Sequence, residues 1–544
     1  MIRIPAFQTA LQLTGPGRLV LNEKKPVLRP GPRQFLLRVE AVGLCFSDLK
    51  LLDAFTAHPR KGAVTKGISP DILAGIPSYV PGDAPTVPGH EVCGRVVAAG
   101  PGVTSVAVGS RYLVQADYRH LPTAGSNAAF GYNFEGGLQE YVLLDERVTV
   151  DPSGVNLMLG ADDASGASAI ALVEPWACVQ NAYASSERRA VKAGGRTLVV
   201  ADAACDRDAL TAAVAPAGTV HVIWNAPGKS PVGSAVDESG AVGPYDDIVY
   251  AGCAADRIGT LWGRLAPGGL LNIVLCGGRI GRAVPVPVGL IHYVGIRFTG
   301  TPGGDCRDGY RRIPETGEAP SGAVVRVIGA GGPMGVMHVV RTIVRGLARE
   351  VVAEDLSAER LALLAAKAAP LASRRGVSLR LRRVPADPAG LPANYTAVLA
   401  PVPALVAEAV SAAAPGALVN LFAGIPAGKN ADLDLDTCVR EGVYLFGTSG
   451  SLIKDMRAVL EMQKTAGLDT DLSVAAVTGL SGAADGIAAV KNQSLPGKII
   501  VYPSRRGMGL TPLENLAGTL PAVARHLANG SWNREAEKAL LLNG

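Results

Sequence analysis

Long apolar segments are missing from this chain of 544 residues, in which no apolar run reaches the roughly 20 residues that a membrane-spanning helix needs. The first residues lack a basic stretch followed by an apolar core and a cleavage site, so we expect no secretion signal. Charged residues make up only 18% of the chain, and its net charge of +5 is not gathered into a Lys/Arg block. These absences argue against a membrane partner and against a dedicated nucleic-acid surface.

Paired cysteine spacings are also absent. The eight cysteines are scattered along the chain, which suits a reducing compartment better than a disulfide framework. We therefore expect a cytoplasmic protein that acts on a small molecule. At 544 residues the chain has room for about three domains.

Four residues of the chain offer a set of ligands for one metal ion. Cys45 stands in the segment GLCFSD, His90 and Glu91 stand in PGHE, and Glu174 stands in VEP. A catalytic zinc usually takes three ligands from Cys, His, Asp and Glu and leaves one position open for water or substrate. Each residue taken alone is more often a buried structural side chain. Their combination with a nucleotide loop later in the chain favours the metal site.

That loop begins where the apolar run VVRVI enters GAGGPMG at residues 329–335 and continues into a segment that can be helical. A dinucleotide-binding loop requires this strand, turn and helix context, because the glycines let the backbone approach a pyrophosphate at the helix N-terminus. A glycine-rich structural turn is the alternative. The predicted loop residues are Gly329, Gly331, Gly332, Pro333, Met334 and Gly335.

A carboxylate follows the loop at the distance expected for ribose binding. Asp355 ends a second apolar strand about 25 residues after Gly329. Its side chain is expected to accept hydrogen bonds from the adenosine ribose and to repel a 2′-phosphate. The sequence therefore predicts NAD rather than NADP as the cofactor.

Taken together, these motifs and the segments VGSR (108–111) and GGLQEY (136–141) resemble the zinc-dependent medium-chain dehydrogenases of the alcohol, sorbitol and threonine dehydrogenase kind. The resemblance covers the chain to about residue 192 and again from about residue 324 to 502. It implies that Cys45 and His90 bind one catalytic zinc, with Glu174 or Glu91 as the third protein ligand. It also implies that the Ser47 hydroxyl relays the substrate proton.

Two departures from this family pattern affect the site. Many relatives carry a four-cysteine lobe for a structural zinc, but residues 112–135 contain no cysteine, so one Zn²⁺ per chain is expected. Some relatives continue the proton relay through a histidine shortly after the serine, where this chain has Lys50. The loop that replaces the lobe contains Arg119 and His120, which either meet an anionic substrate group or belong to a solvated surface loop.

The segment 193–320 starts like a nucleotide fold but lacks the glycine loop. Its first strand, TLVV, runs into ADAACD, whose two carboxylates would reject a pyrophosphate. Further along, APGGLLNI resembles APGALVNL, which places Asn272 and Asn420 at an offset of 148 residues. Self-similarity at one long offset indicates a duplicated α/β unit, of which the second copy kept the cofactor loop; a chance match of two Ala-Pro-Gly turns is the alternative.

The predicted fold is therefore α/β, with a β-rich GroES-like catalytic domain, a Rossmann doubly wound parallel sheet and an additional duplicated α/β module. We expect a GroES-like zinc domain at 1–192, a degenerate Rossmann-like module at 193–320, an NAD-binding Rossmann domain at 321–475 and a C-terminal segment at 476–544 that returns to the catalytic domain.

The predicted function is hydride transfer between NAD(H) and a secondary alcohol or ketone, with a polyol, sugar or sugar phosphate as the substrate class. The long middle segment resembles, more loosely, the sorbose 1-phosphate reductases. An amino-alcohol dehydrogenase of the threonine type and a zinc-free NAD-binding redox sensor or reductase are the alternatives. The resemblance also implies a homo-oligomer, either a dimer or a tetramer.

Overall fold

The computed structural model describes residues 4–387, 392–465 and 467–542. The chain divides into two compact units, Met1–Ala177 with Ser451–Gly544, and Cys178–Gly450. Among the described residues, no helix is both long enough and apolar enough to cross a membrane.

The first unit is built on β-strands. Side chains of its central strand, β3 (Gln34–Gly43), point alternately to the two faces of the sheet. Phe35, Leu37 and Val39 lie in the core on one face, and Arg38 and Glu40 are less buried on the other. The strands of this part are β1 (Phe7–Gly15), β2 (Arg18–Pro26), β3 (Gln34–Gly43), β4 (Glu91–Ala99), β5 (Arg111–Val114), β6 (Asp117–Pro122), β7 (Asn127–Ala129), β8 (Tyr141–Asp145) and β9 (Met158–Ala161). The helices are α1 (Phe46–Ala54), α2 (Pro70–Ala74), α3 (Glu146–Thr149), α4 (Ala167–Ala171) and α5 (Val173–Ala184).

The second unit contains two six-stranded parallel sheets. The first sheet has the order β12-β11-β10-β13-β14-β16. Its strands and the strand beside it are β10 (Arg196–Ala201), β11 (Thr219–Trp224), β12 (Ser234–Ala235), β13 (Tyr245–Ala251), β14 (Leu265–Val274), β15 (Val284–Val286) and β16 (Arg297–Thr301). The helices are α6 (Arg207–Val214), α7 (Ala255–Leu261), α8 (Val288–Tyr293) and α9 (Cys306–Arg311).

The second sheet repeats this topology with the order β19-β18-β17-β20-β21-β23. Its elements are β17 (Ala323–Ile328), β18 (Ala348–Asp355), β19 (Ser378–Arg383), β20 (Ala393–Val398), β21 (Ala413–Leu421), β22 (Ala431–Leu433) and β23 (Tyr444–Phe446), with α10 (Pro333–Arg345), α11 (Ala358–Arg375), α12 (Pro403–Ser411) and α13 (Leu435–Glu441). In both sheets the first strand lies inside, with its successors on either side, which is the doubly wound arrangement.

The last part of the chain rejoins the first unit. It contains β24 (Val474–Thr478), β25 (Lys498–Val501), β26 (Thr511–Pro512), α14 (Ile453–Thr465), α15 (Ala483–Asn492), α16 (Leu516–Thr519), α17 (Pro521–Ala524) and α18 (Arg534–Leu542). Strand β25 pairs antiparallel with β3, and the sheet runs β26-β24-β25-β3-β4-β5-β9, with β8 also on β3. The predicted fold class, a β-rich domain combined with Rossmann-type sheets, is confirmed.

Candidate active site

Three of the four predicted metal ligands lie together in the first unit. Cys45, His90 and Glu91 each offer one ligand atom, and these atoms lie within 4.8 Å of one another. The sheet causes this proximity, because Gly43 at the end of β3 is paired with Glu91 at the start of β4. Among the described residues, no other group of three His, Cys, Asp or Glu side chains meets this distance criterion.

Asp48 braces two members of this cluster. One carboxylate oxygen lies 3.1 Å from His90 Nδ1, and the other accepts the backbone N–H of Cys45 at 3.0 Å. The second contact also caps helix α1, which begins right after Cys45. Because Nδ1 is engaged by a carboxylate, Nε2 is the imidazole nitrogen left to bind a metal, as in carboxylate–histidine–metal arrangements.

The surroundings of His90 favour positive charge. Burial lowers the pKa of this histidine, but the Asp48 carboxylate, with Tyr132 and the Cys45 thiol, outweighs burial and raises the pKa well above its usual value. A cation at this point would be stabilised by the same groups.

Glu91 is fully buried and bound to a lysine from the end of the chain. Its Oε1 lies 2.5 Å from Lys498 Nζ, and both side chains are almost completely inaccessible to solvent. Its other oxygen, Oε2, has no hydrogen-bond partner among the described residues. A buried carboxylate oxygen without a partner is costly, and a bound cation would satisfy it.

Glu174 stands in the first turn of α5 and does not belong to the close cluster. Its Oε1 accepts a hydrogen bond from Ser451 Oγ at 3.4 Å. Burial raises the pKa of this carboxyl to about 7, His90 opposes that shift, and the Glu91 carboxylate adds to it. The charges of the cluster therefore act on the Glu174 carboxyl, although this side chain lies outside the group of closely spaced ligand atoms.

Ser47 lies at the edge of the cluster with a partly exposed side chain. Its hydroxyl is 3.6 Å from the Cys45 thiol, and its backbone carbonyl accepts the hydroxyl of Tyr132 at 3.5 Å. The Ser47 hydroxyl thus lies beside the thiol of the cluster, and its role as a proton relay stays a prediction.

Three residues that the sequence did not single out adjoin the site. They are Tyr132, His58 and Arg60. The fully buried ring of Tyr132 stacks at a tilt against His58, 5.0 Å between centroids, and lies 5.9 Å from the ring of His90. Arg60 lies over the same ring at 5.5 Å. Tyr132 belongs to the cysteine-free loop, and His58 and Arg60 follow α1, so only the fold brings them together.

A neutral imidazole and an arginine lie against the ring of Tyr132. Burial, followed by Arg60 and Lys50, lowers the pKa of His58 to about 4, so this imidazole is neutral at physiological pH. Arg60 pairs with Asp117 at 2.6 Å, and Arg119 reaches the same carboxylate at 3.6 Å. Of the two loop residues considered for anion binding, Arg119 thus joins a polar network beside the site. Burial lowers the pKa of His120, which is not part of that network.

The predicted cofactor loop connects β17 to α10 in the second unit. Gly329 adopts a left-handed backbone with φ of +84°, and Gly332 caps α10, whose first residue is Pro333. A Cβ on Gly335 would lie 2.3 Å from the Gly329 carbonyl oxygen, so helix and loop approach too closely for any side chain there. Met334 and Gly335 lie in the first helical turn, where backbone N–H groups lack intrahelical acceptors.

Asp355 reaches back into this loop from the end of β18. Its Oδ2 accepts the N–H of Gly331 at 3.0 Å, and its Oδ1 accepts the N–H of Ser357 at 3.0 Å. The carboxylate therefore lies against the glycine loop, at the carboxyl end of β18.

The equivalent turn of the first sheet carries carboxylates in place of the glycines. Asp206 caps α6 by accepting the N–H of Ala209 at 2.9 Å, so a carboxylate occupies the helix N-terminus where a phosphate would bind. Asp202 accepts the side-chain amide of Asn225 at 2.8 Å. This geometry agrees with the prediction that the turn rejects a pyrophosphate.

Comparisons with known proteins agree with this architecture. Residues 31–153 match the alcohol dehydrogenase GroES-like domain. Sorbitol dehydrogenase of Halalkalibacterium halodurans is 27% identical over 183 residues, which are 32% of this chain and 43% of that protein. L-sorbose 1-phosphate reductase of Klebsiella pneumoniae is 33% identical over 152 residues, which are 26% of this chain and 35% of that protein. The chain spans less than half the length of the curated relatives it matches.

The fold itself has a solved counterpart. The structure of 2R,3R-butanediol dehydrogenase from Bacillus subtilis aligns with a TM-score of 0.50 at 17% identity, covering 91% of this chain and 99% of that one. This likeness concerns the fold alone. With the GroES-like domain and the curated relatives, it confirms the resemblance to the medium-chain dehydrogenases and reductases that the motifs predict.

Proposed function

We propose that this chain is a zinc- and NAD-dependent dehydrogenase that transfers a hydride between NAD(H) and a secondary alcohol or ketone. The observation that carries this proposal is the cluster of Cys45, His90 and Glu91 with the Ser47 hydroxyl at its edge. Thiolate, imidazole and carboxylate are ligand types of catalytic zinc, and a hydroxyl nearby is what a proton relay needs.

Cys45 and His90 would hold the zinc, with Glu91 or Glu174 as the third ligand. The unpartnered Oε2 of Glu91 and the cation-favouring surroundings of His90 support this assignment. A zinc ion bound there would act as a Lewis acid that lowers the pKa of a substrate hydroxyl or polarises a carbonyl.

The protein's own groups would carry out the remaining tasks. Asp48 fixes the tautomer and orientation of His90 through Nδ1, and Ser47 Oγ would accept the substrate hydroxyl proton and pass it outward. Tyr132 lines the site beside Ser47. Burial raises the pKa of Tyr132 to about 12, so its phenol stays neutral and can form hydrogen bonds. His58, which is also neutral, packs against the ring of Tyr132.

The cofactor would be held by the glycine loop. The left-handed backbone of Gly329 and the close packing of Gly335 on the loop would let a pyrophosphate approach the N-terminus of α10, and Asp355 would accept the ribose hydroxyls. The carboxylate charge supports NAD over NADP.

A hydroxylated substrate fits the groups around the cluster. Asp117, Arg60 and Arg119 form a polar network next to Tyr132 that can both accept and donate hydrogen bonds. The relatives named for sorbitol and for a sorbose phosphate support the same class. We therefore assign polyols, sugars or sugar phosphates as substrates.

The test combines metal analysis with turnover. Freshly purified protein should contain about one zinc per chain and should reduce NAD when a panel of polyols and sugar phosphates is added. The variants Cys45→Ala and His90→Ala should lose both zinc and turnover, whereas Cys253→Ala, a partly buried thiol in the other unit, should keep them. Protein that binds NADH but holds no zinc and shows no turnover would sink the proposal and favour a redox sensor.

A further inference from the structure

The two α/β modules of the second unit meet through equivalent elements. In each module a short strand and a helix lie between the fifth strand and the last: β15 and α8 in the first, β22 and α13 in the second. Strands β15 and β22 pair antiparallel with each other, with Pro285 opposite Asp432 at the centre. A strand that pairs antiparallel with its own counterpart lies on a local two-fold axis.

The helices repeat this relation. Helix α13 of the second module packs on β16, the last strand of the first, and α8 of the first module packs on β23, the last strand of the second. Strands β16 and β23 also contact each other, and they carry Phe298 and Phe446 at the offset of 148 residues already found for the two asparagines. Each contact thus has a reciprocal contact, which defines an isologous interface.

The interface is as apolar as a domain core. Its side chains belong to one contiguous hydrophobic cluster that extends through both modules. Gly289 shows how close the approach is, since a Cβ there would lie 2.3 Å from the carbonyl oxygen of Pro426. Obligate subunit interfaces have this character. The almost fully buried members are Val284, Val286, Val288, Ile291 and Phe298 from the first module and Leu433, Leu435, Val439 and Leu445 from the second.

Hydrogen bonds cross the same boundary in both directions. Arginines of each module donate to backbone carbonyls of the other, and Asp436 of α13 accepts the N–H of Gly281 at 2.8 Å. The arginine contacts are Arg297 to Gly447 at 2.7 Å, Arg312 to Val439 at 2.6 Å and Arg440 to Gly278 at 2.5 Å. All of these hydrogen bonds join groups of the same chain.

We propose that the first α/β module is an internal partner subunit. Gene duplication has placed both halves of a two-fold dimer in one chain, and only the second half keeps a dinucleotide loop, because Asp206 blocks the equivalent helix N-terminus in the first. The partner that fits the β22–β23 face of the cofactor module is therefore the β15–β16 face of the same chain. A second copy of the chain cannot use this face.

The proposal does not depend on the proposed reaction, and it is tested by a crosslink in the full-length chain. Pro285 and Asp432 are directly opposed and both solvent-exposed, so the double variant Pro285→Cys/Asp432→Cys can form a disulfide under mild oxidation without a core substitution. We expect the disulfide to join the two positions within one chain, identified by mass spectrometry of the linked peptides, at the mobility of a single chain on a denaturing non-reducing gel.

We expect more than nine-tenths of the molecules to carry the disulfide and to migrate as monomers. This fraction should stay constant over a hundredfold range of protein concentration. Either single variant, treated alike, controls for the native cysteines and should give no such linked peptide. A covalent dimer joined through positions 285 and 432 would overturn the proposal, because the face would then pair between two chains. Failure of the two thiols to crosslink while both remain reactive would overturn it as well.

Discussion

Lys498 and Glu91 form a buried ion pair that joins the Cys45–His90–Glu91 cluster to β25, with 2.5 Å between Nζ and Oε1, although 407 positions separate them in the chain. Lys498 begins β25 and Glu91 begins β4, and the two strands flank β3. Burial alone would lower the pKa of Lys498, but the Glu91 carboxylate outweighs burial and raises it, so the lysine stays charged. Strand β25 thus supplies the countercharge of a candidate ligand.

Removal of this countercharge should destabilise the first unit strongly. The variant Lys498→Met leaves Glu91 as an uncompensated buried charge, and we expect it to lose about 3–5 kcal/mol of unfolding free energy in urea denaturation. The double variant Lys498→Met/Glu91→Gln should recover part of the loss. Lys491→Met is the matched control, because Lys491 is exposed and its pair with Asp53 spans 3.5 Å. Equal effects at positions 498 and 491 would contradict the prediction.

The sequence could predict Cys45, His90 and Glu91 as one group with Glu174 because their motifs offer the ligand types of one metal ion. The structure brings the first three together where β3 ends and β4 begins. The two α/β modules were also predictable, because the strand and loop signals repeat at one offset. Lys498, His58 and Tyr132 could not be predicted as neighbours of this cluster, since no local pattern connects them and only the sheet and the loop packing do. For Glu174 the motif indicated the neighbourhood, but the structure places this residue in the first turn of α5, outside the close cluster.

The glycine loop offers a pair of substitutions that differ only in available space. In Gly335→Ala the new Cβ would lie 2.3 Å from the Gly329 oxygen, whereas in Gly332→Ala the nearest heavy atom is 3.6 Å away. We expect Gly335→Ala to lower the unfolding free energy by about 1–3 kcal/mol and to weaken NADH binding. Gly332→Ala should stay within about 0.5 kcal/mol of the parent. Thermal unfolding of both variants checks this, and a reversed order would refute it.

Asp355 should set the choice between the two nicotinamide cofactors through its charge. Asp355→Asn keeps an oxygen for the Gly331 N–H but removes the repulsion of a 2′-phosphate. We expect the ratio of NADPH to NADH affinity to rise about tenfold, which corresponds to about 1.4 kcal/mol. Fluorescence titration with each reduced cofactor measures the ratio. Asp256→Asn, an exposed carboxylate of the first module, is the control and should leave it unchanged.

His338 should make the second unit sensitive to acid. It is fully buried on α10, and burial, with a smaller effect of Arg341, lowers its pKa to about 3. The unfolded chain binds a proton below about pH 6.5 while the native histidine stays neutral, so its contribution is complete above pH 6.5 and is lost progressively as the pH falls toward 3. At pH 5 the loss amounts to about 2 kcal/mol.

The variant His338→Met removes this titration. Between pH 7 and pH 5, its unfolding free energy should fall by about 2 kcal/mol less than that of the parent, measured by urea denaturation at each pH. His526→Gln, at an exposed position in the C-terminal segment, should leave the slope of the parent unchanged. Parallel pH profiles for the parent and His338→Met would show that the buried imidazole titrates alike in both states.

Glu537 attaches the C-terminal helix α18 to helix α4 within the first unit. Its carboxylate accepts the N–H groups of Ala167 and Ser168, at 2.6 and 2.8 Å, and the hydroxyl of Tyr502 at 2.9 Å. An anion at the N-terminus of α4 satisfies N–H groups that have no helical acceptor. Trp532, fully buried, donates to the same Tyr502 hydroxyl at 2.9 Å and closes the network.

Removal of the Glu537 carboxylate should therefore lower the free energy of unfolding far more than removal of the exposed Glu535 carboxylate on the same helix. Glu537→Ala leaves two N–H groups and a buried hydroxyl without acceptors, and we expect a loss of about 3 kcal/mol in unfolding free energy. Glu535→Ala removes only an exposed pair with Lys538 and should change stability by less than about 0.5 kcal/mol. Limited proteolysis gives a second measurement, because release of α18 should expose the C-terminal segment to cleavage in Glu537→Ala but not in Glu535→Ala. Similar melting and cleavage of the two variants would mean that apolar contacts, chiefly those of Trp532, hold the helix without help from the carboxylate.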